Sequence, residues 1–110
     1  MNGGGAATIT RKEIYHHIVK KAEEGCDMIA TLLTCSRFRV YMINVYRYPN
    51  GSLGTFFDEL NRTITLIYNE EAEARIIIVG DFNIDLLKHD AKKKKLENFT
   101  SKWNLKISHD

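Results

Sequence analysis

The sequence predicts an α/β protein built in layers, and three observations carry that prediction. Arg75 to Gly80 reads "RIIIVG", an apolar, β-branched run that stops on glycine, as a buried strand does. Leu53, Phe56, Phe57, Leu60, Ile64 and Ile67 recur at three- and four-residue spacing, which lays one apolar stripe along a helix. Ahead of that helix, "RFRVYMINVYR" has the composition of another strand. Strand, helix and apolar strand in this order form a βαβ unit, which favours parallel pairing through a right-handed crossover.

The remaining elements follow along the chain. Gly3-Gly4-Gly5 makes a flexible opening, and Ala6 to Thr10 has the length of a short strand. Between Arg11 and Gly25, Ile14, Ile18, Val19 and Ala22 stand at helical spacing, so an amphipathic helix is expected there. "CDMIATLLTC" reads as a strand, and the short link at Cys35-Ser36 makes an antiparallel hairpin with the next strand, whose Phe38, Val40 and Met42 share a face. "YPNGS", Tyr48 to Ser52, holds the only proline and an Asn-Gly pair, and is a turn by composition. On the central helix Asp58, Glu59, Asn61 and Arg62 lie opposite the apolar stripe. A second helix is expected from about Asp90 to Trp103, with Asp90 as its N-cap and Leu96, Phe99 and Trp103 facing inward. A last short strand is expected from Leu105.

Composition narrows the class of function. The chain has 110 residues, enough for one small domain, and is 44% hydrophobic and 27% charged, without a disorder signature. No apolar run approaches the roughly 18 residues of a membrane span, and the start "MNGGGAATIT" lacks the pattern of a signal peptide. An intracellular protein, nuclear or cytoplasmic and off the membrane, is therefore expected. Cys26 and Cys35 have no further cysteine and no histidine at metal-ligand spacing, so ordinary thiols are expected. Net charge is only +2, but Lys92, Lys93, Lys94 and Lys95 are consecutive and Lys88 stands just ahead of them.

Chemistry is expected where the β-branched run ends. Functional groups of α/β sheets collect beyond the carboxyl ends of the strands. One strand ends in Asn44-Val45-Tyr46-Arg47 and the other in Asp81-Phe82-Asn83. If these strands are neighbours, Tyr46, Asp81 and Asn83 converge, and alternation would turn Asp81 and Asn83 to one side with Phe82 in the core. A carboxylate can orient an attacking water, an amide can donate to a phosphoryl oxygen, and a tyrosine hydroxyl can bind a non-bridging oxygen. The plainer alternative is that Asp and Asn after a strand form Asx turns or cap a helix. Asp85 has the same two readings, with turn duty favoured. His89 alone in a loop, and His16-His17 as sequence neighbours, read as solvated residues rather than ligands.

The blocks "GGGAA" (Gly3 to Ala7), "VYRYPNGS" (Val45 to Ser52) and "GDFNIDLL" (Gly80 to Leu87) together resemble the endonuclease/exonuclease/phosphatase superfamily. The nearest likeness is to the apurinic-type endonuclease domain of non-LTR, LINE-like retrotransposons. It spans nearly the whole chain and is weak between Thr8 and Cys35. The resemblance implies a layered α/β sandwich of which residues 1–110 would be the central part. It implies Asp81 as the catalytic aspartate, Asn83 as the asparagine that positions nucleophile and phosphate, and Tyr46 as the phosphate-contacting tyrosine. Asn50 would border the substrate. It further implies Mg²⁺ as cofactor and DNA as partner, with Lys88 and Lys92 to Lys95 as a phosphate-binding patch instead of a merely solvated helix face. The family's metal-binding glutamate comes upstream of the glycine triplet, and its catalytic histidine sits in a Ser-Asp-His motif downstream. The closing "ISHD" has those letters in another order and too near Asp81, and Tyr48 replaces the first proline of the usual turn. A fragment inactive alone is the expectation, with a non-catalytic nucleic-acid-binding remnant as the alternative.

Overall fold

The computed structural model describes residues 15–22 and 26–107. Strands β1 (Tyr15–Ala22), β2 (Cys26–Thr34) and β3 (Arg39–Arg47) are followed by helix α1 (Leu53–Glu70), strand β4 (Ile76–Asp81) and helix α2 (Ala91–Lys102). The four strands form one sheet in the order β1-β2-β3-β4. β1–β2 and β2–β3 pair antiparallel, and β3–β4 pair parallel across α1, as the βαβ pattern requires. The chain is a mixed α/β protein, and no helix among the described residues is long and apolar enough to cross a membrane.

Both helices cover one face of the sheet. Along β3 the buried residues alternate, Tyr41, Ile43, Val45 and Arg47, and the first three join Met28 and Ala30 of β2 in the core. Phe56, Phe57, Leu60, Ile64 and Ile67 of α1 close over them, with Leu96 and Phe99 of α2 alongside. Each such side chain, fully buried, contributes about 1.5–3 kcal/mol. Aromatic edges tie the layers: Phe56 meets Phe57 and Phe82 with ring centroids 5.2 Å apart, and Phe57 meets Phe99 at 5.1 Å. The opposite face carries Ile29, Leu33, Val40, Met42, Ile77 and Val79, and no described helix or strand covers it. Ile77 and Val79 are 47% and 37% exposed there.

The helices start and stop where their local chemistry says. The Ser52 hydroxyl caps α1 by accepting from the Thr55 N–H, and the Asp90 carboxylate caps α2 by accepting from the Lys93 N–H. Trp103 lies just past α2, stacked on Tyr68 and donating from Nε1 to Asn61 at 2.8 Å.

Four expectations need correction. Residues 15–22 are a strand and not part of an amphipathic helix. Its register slips between Ile18 and Lys20, and this bulge interrupts the two-residue period by which a strand is recognised. Glu59 is buried, not on the solvent side of α1, and its carboxylate meets the Arg62 guanidinium. Leu105 to Ile107 form no strand. Phe38 is exposed and precedes β3, while Val40 and Met42 do share a face, the one without helices. The strand expected at residues 6–10 lies outside the described residues.

Candidate functional site

The parallel register of β3 and β4 sets Tyr46 directly beside Asp81. Ile76 and Ile78 pack on the core, so Ile77, Val79 and Asp81 alternate to the helix-free side, as Asn44 and Tyr46 do on β3. The same row continues into β2, where Asp27 pairs with Tyr46. Strands lie about 4.8 Å apart, so Asp27 and Asp81 flank the tyrosine at a backbone separation of about 10 Å. The Tyr48 hydroxyl donates to Asp27 at 2.8 Å, and the Tyr46 and Tyr48 rings meet at 5.8 Å. Asp27 is not a residue that the sequence alone points to. Only its register opposite Tyr46, readable once the hairpin is aligned, could have found it.

The four residues Gly80-Asp81-Phe82-Asn83 each have a local reason. Gly80 sits at φ +131°, and a Cβ there would lie 1.9 Å from the carbonyl oxygen of Val45, so only glycine fits. Asp81 accepts the backbone N–H of Asn83 at 2.8 Å, which is an Asx turn. Phe82 turns into the core against Phe56. Asn83 adopts φ +53°, a conformation asparagine tolerates better than most residues, and its side-chain amide donates to the Arg47 carbonyl. The strand ends at Asp81, so the expected alternation through Asn83 does not hold. Asp81 remains beside Tyr46, and Asn83 turns back toward β3. Among the described residues, one Asn83 amide N–H and its Oδ1 make no further hydrogen bond. Asp85 likewise serves a turn, accepting the Leu87 N–H at 2.9 Å.

Arg47 holds this corner from below. It is only 2% exposed, and its guanidinium donates to four backbone carbonyls. Nε reaches Phe82 at 2.6 Å and Nη2 reaches Asn83 at 2.8 Å, while Nη1 reaches Gly51 at 3.1 Å and Tyr48 at 3.3 Å. Sequence reasoning passes over Arg47, although alternation places it on the inward row with Tyr41, Ile43 and Val45.

The other expected residues surround the corner without joining it. Asn50 is exposed in the turn closed by the Gly51 N–H to Tyr48 carbonyl bond. Lys88, Lys92, Lys94 and Lys95 are exposed and Lys93 is half-buried. α1 follows β3 after residues 48–52 and α2 follows β4 after residues 82–90, so both helix N-termini lie at the end where Tyr46 and Asp81 stand. Their dipoles and the lysines add positive charge at that end, which also carries the carboxylates of Asp27, Asp81, Asp85 and Asp90. A cleft of about 710 Å³ runs along the outer edge of β4, from Asp81 and Asn83 past Leu96 and Phe99 to Leu105. His89 is exposed.

The described residues hold no group of three His, Cys, Asp or Glu side chains close enough to bind a metal ion. Tyr46 has an aspartate on either side, their backbones about 10 Å apart, and Asp27 is already engaged by Tyr48. These donors do not make a Mg²⁺ site. Opposite Arg47 in the β2–β3 register, the Cys26 thiol is pushed up to about 11, first by burial and then by the charges of Glu59 and Asp27. Comparison with protein-family models, curated proteins and solved structures finds no match for this chain.

Proposed function

We propose that this chain is the central part of an endonuclease/exonuclease/phosphatase-type domain of the retroelement kind, whose complete form hydrolyses phosphodiester bonds in DNA, and that alone it binds without cutting. The observation that carries the reading is the placement of Tyr46 beside Asp81 at the ends of two parallel strands. An exposed carboxylate there can orient a water, and a neighbouring phenol can donate to a non-bridging phosphate oxygen. Asn83, held against Arg47, fixes the turn that presents Asp81 and keeps donor capacity for the same phosphate. The Mg²⁺ that the resemblance implies needs ligands beyond those described.

The experiment is nicking of supercoiled plasmid in a Mg²⁺ buffer, with the chain and Asp81→Ala side by side, and gel retardation of the same DNA. Retardation without nicking is expected from both. Nicking lost in Asp81→Ala would show instead that these residues contain a full catalytic set. Absence of both nicking and retardation would refute the proposal.

A second reading keeps only the binding. Four of the five lysines at Lys88 and Lys92 to Lys95 are exposed near the two helix N-termini, where a nucleic-acid backbone could pair with them. Replacing Lys92, Lys94 and Lys95 by Gln should weaken retardation uniformly across sequences. The slope of its salt dependence should fall by about 0.9 for each phosphate that is no longer neutralised. Under this reading, Asp81→Ala and Tyr46→Phe leave DNA binding and its response to Mg²⁺ untouched.

A further inference from the structure

We infer that Arg47 is the positioning residue of this corner: its buried guanidinium locks the turn after β3 to the turn after β4 and so sets Asp81 and Asn83 in place beside Tyr46. The inference rests on reading these three residues as one site.

Four acceptors divide evenly between two segments more than thirty residues apart in sequence. Tyr48 and Gly51 belong to the turn leading into α1, and Phe82 and Asn83 to the turn leaving β4. The return bond, from the Asn83 amide to the Arg47 carbonyl, closes the link in the other direction. Every other inward position on β3 from Tyr41 onward is aromatic or aliphatic. A charge among them is costly unless its donors are met, and no carboxylate meets this one among the described residues. Carbonyls meet it instead, which requires the planar fork of a guanidinium. A lysine ammonium is a single point with three donors and cannot span both turns. The residue therefore does something an apolar side chain in its place could not: it makes the path of one turn depend on the other. Arg47 itself is buried, with its donors facing carbonyls, so it positions the site residues without touching a ligand.

The test uses the full chain labelled with ¹⁵N, as wild type, Arg47→Lys and Arg47→Ala. Amide exchange is read at Asn83 and at Ala30 and Ile43 in the middle of the sheet. In Arg47→Lys the sheet amides should keep their protection while Asn83 loses at least about tenfold. Adding methylguanidinium to Arg47→Ala should restore Asn83 protection, and methylammonium should not. Unchanged Asn83 protection in Arg47→Lys would overturn the inference. So would a loss shared equally by Asn83, Ala30 and Ile43, because Arg47 would then serve the fold as a whole. If Arg47→Ala does not fold, Arg47→Lys decides alone.

A titration with inorganic phosphate separates this inference from the site reading. Shifts at Tyr46 and Asp81 in wild type that weaken in Arg47→Lys support both. Absence of shifts in wild type counts against the site, while the exchange pattern still decides the role of Arg47.

Discussion

Replacing Gly80 by alanine should strike both the fold and the corner it supports. The backbone there stands at φ +131°, and the added methyl would lie 1.9 Å from the Val45 carbonyl oxygen and 2.8 Å from its carbon. Both obstacles are backbone atoms of the neighbouring strand, so no side chain can swing aside. Holding a non-glycine residue in such a conformation costs about 1–3 kcal/mol. Relieving the overlap costs about another 1–3 kcal/mol. A total of about 2–6 kcal/mol is a large share of the roughly 5–15 kcal/mol that stabilises a domain. The outlet for the strain is separation of β4 from β3 at the Val45–Gly80 pair, adjacent to Tyr46–Asp81. Urea unfolding followed by far-ultraviolet dichroism and by the single tryptophan, Trp103, would measure it. With an m-value of about 2 kcal/mol/M, the midpoint should fall by at least about 1 M. Gly54→Ala is the control, because its new Cβ would meet only the Ser52 hydroxyl, at 3.8 Å, in the first turn of α1. That change should stabilise by about 0.5 kcal/mol. A loss under about 1 kcal/mol in Gly80→Ala would refute the reasoning that glycine is required by contact with Val45.

Four further outcomes are expected. Phe99→Ala removes a ring 5% exposed that touches Phe57, and should cost about 3–5 kcal/mol in the same urea experiment. Iodoacetamide at pH 8 should label Cys35 in the native chain and spare Cys26 until denaturant is added. The Cys26 thiol loses its proton near its ordinary value of 9.0 when unfolded but only near about 11 when folded, so between those values the native state binds more protons. Stability should therefore fall as pH rises from about 9 to about 11, and Cys26→Ala should remove that component of the slope. Ile77→Lys with Val79→Lys places charge on the exposed β4 part of the helix-free face and should reduce dye binding by ANS and self-association in light scattering, with the urea midpoint little changed.

The parts of the fold that are legible in the sequence are those whose periodicity is uninterrupted. The stripe from Leu53 to Ile67 and the run Ile76 to Val79 each keep one period, and α1 and β4 lie where these predict. Asp90 caps α2 because a short acceptor side chain in extended backbone just ahead of a helix reaches the N–H groups of its first turn. β1 reads as a helix because its bulge moves the alternation by one position near Val19, and what is left resembles helical spacing. At the corner, the pairing of Tyr46 with Asp81 follows from the βαβ order and is found. The geometry of Asn83 is not legible, because it depends on a left-handed backbone and on a carbonyl of another strand. Arg47 escapes for a related reason. Its acceptors are backbone carbonyls, which leave no complementary residue type in the sequence to point to them.

In this sheet the spatial order of strands is the order of synthesis. Every described strand pairs with its predecessor, so loop closure is cheap for the two hairpins and longer only for β4, which reaches β3 across α1. The sheet can grow as a zipper from the N-terminal side while the ribosome is still adding residues. The Tyr46–Asp81 pair is the last row to form, since it needs α1 already turned back and β4 emerged. A chain stalled before Gly80 would keep the antiparallel hairpins and have no corner. The assembly of these strands is therefore graded by length, and the Tyr46–Asp81 corner arrives last.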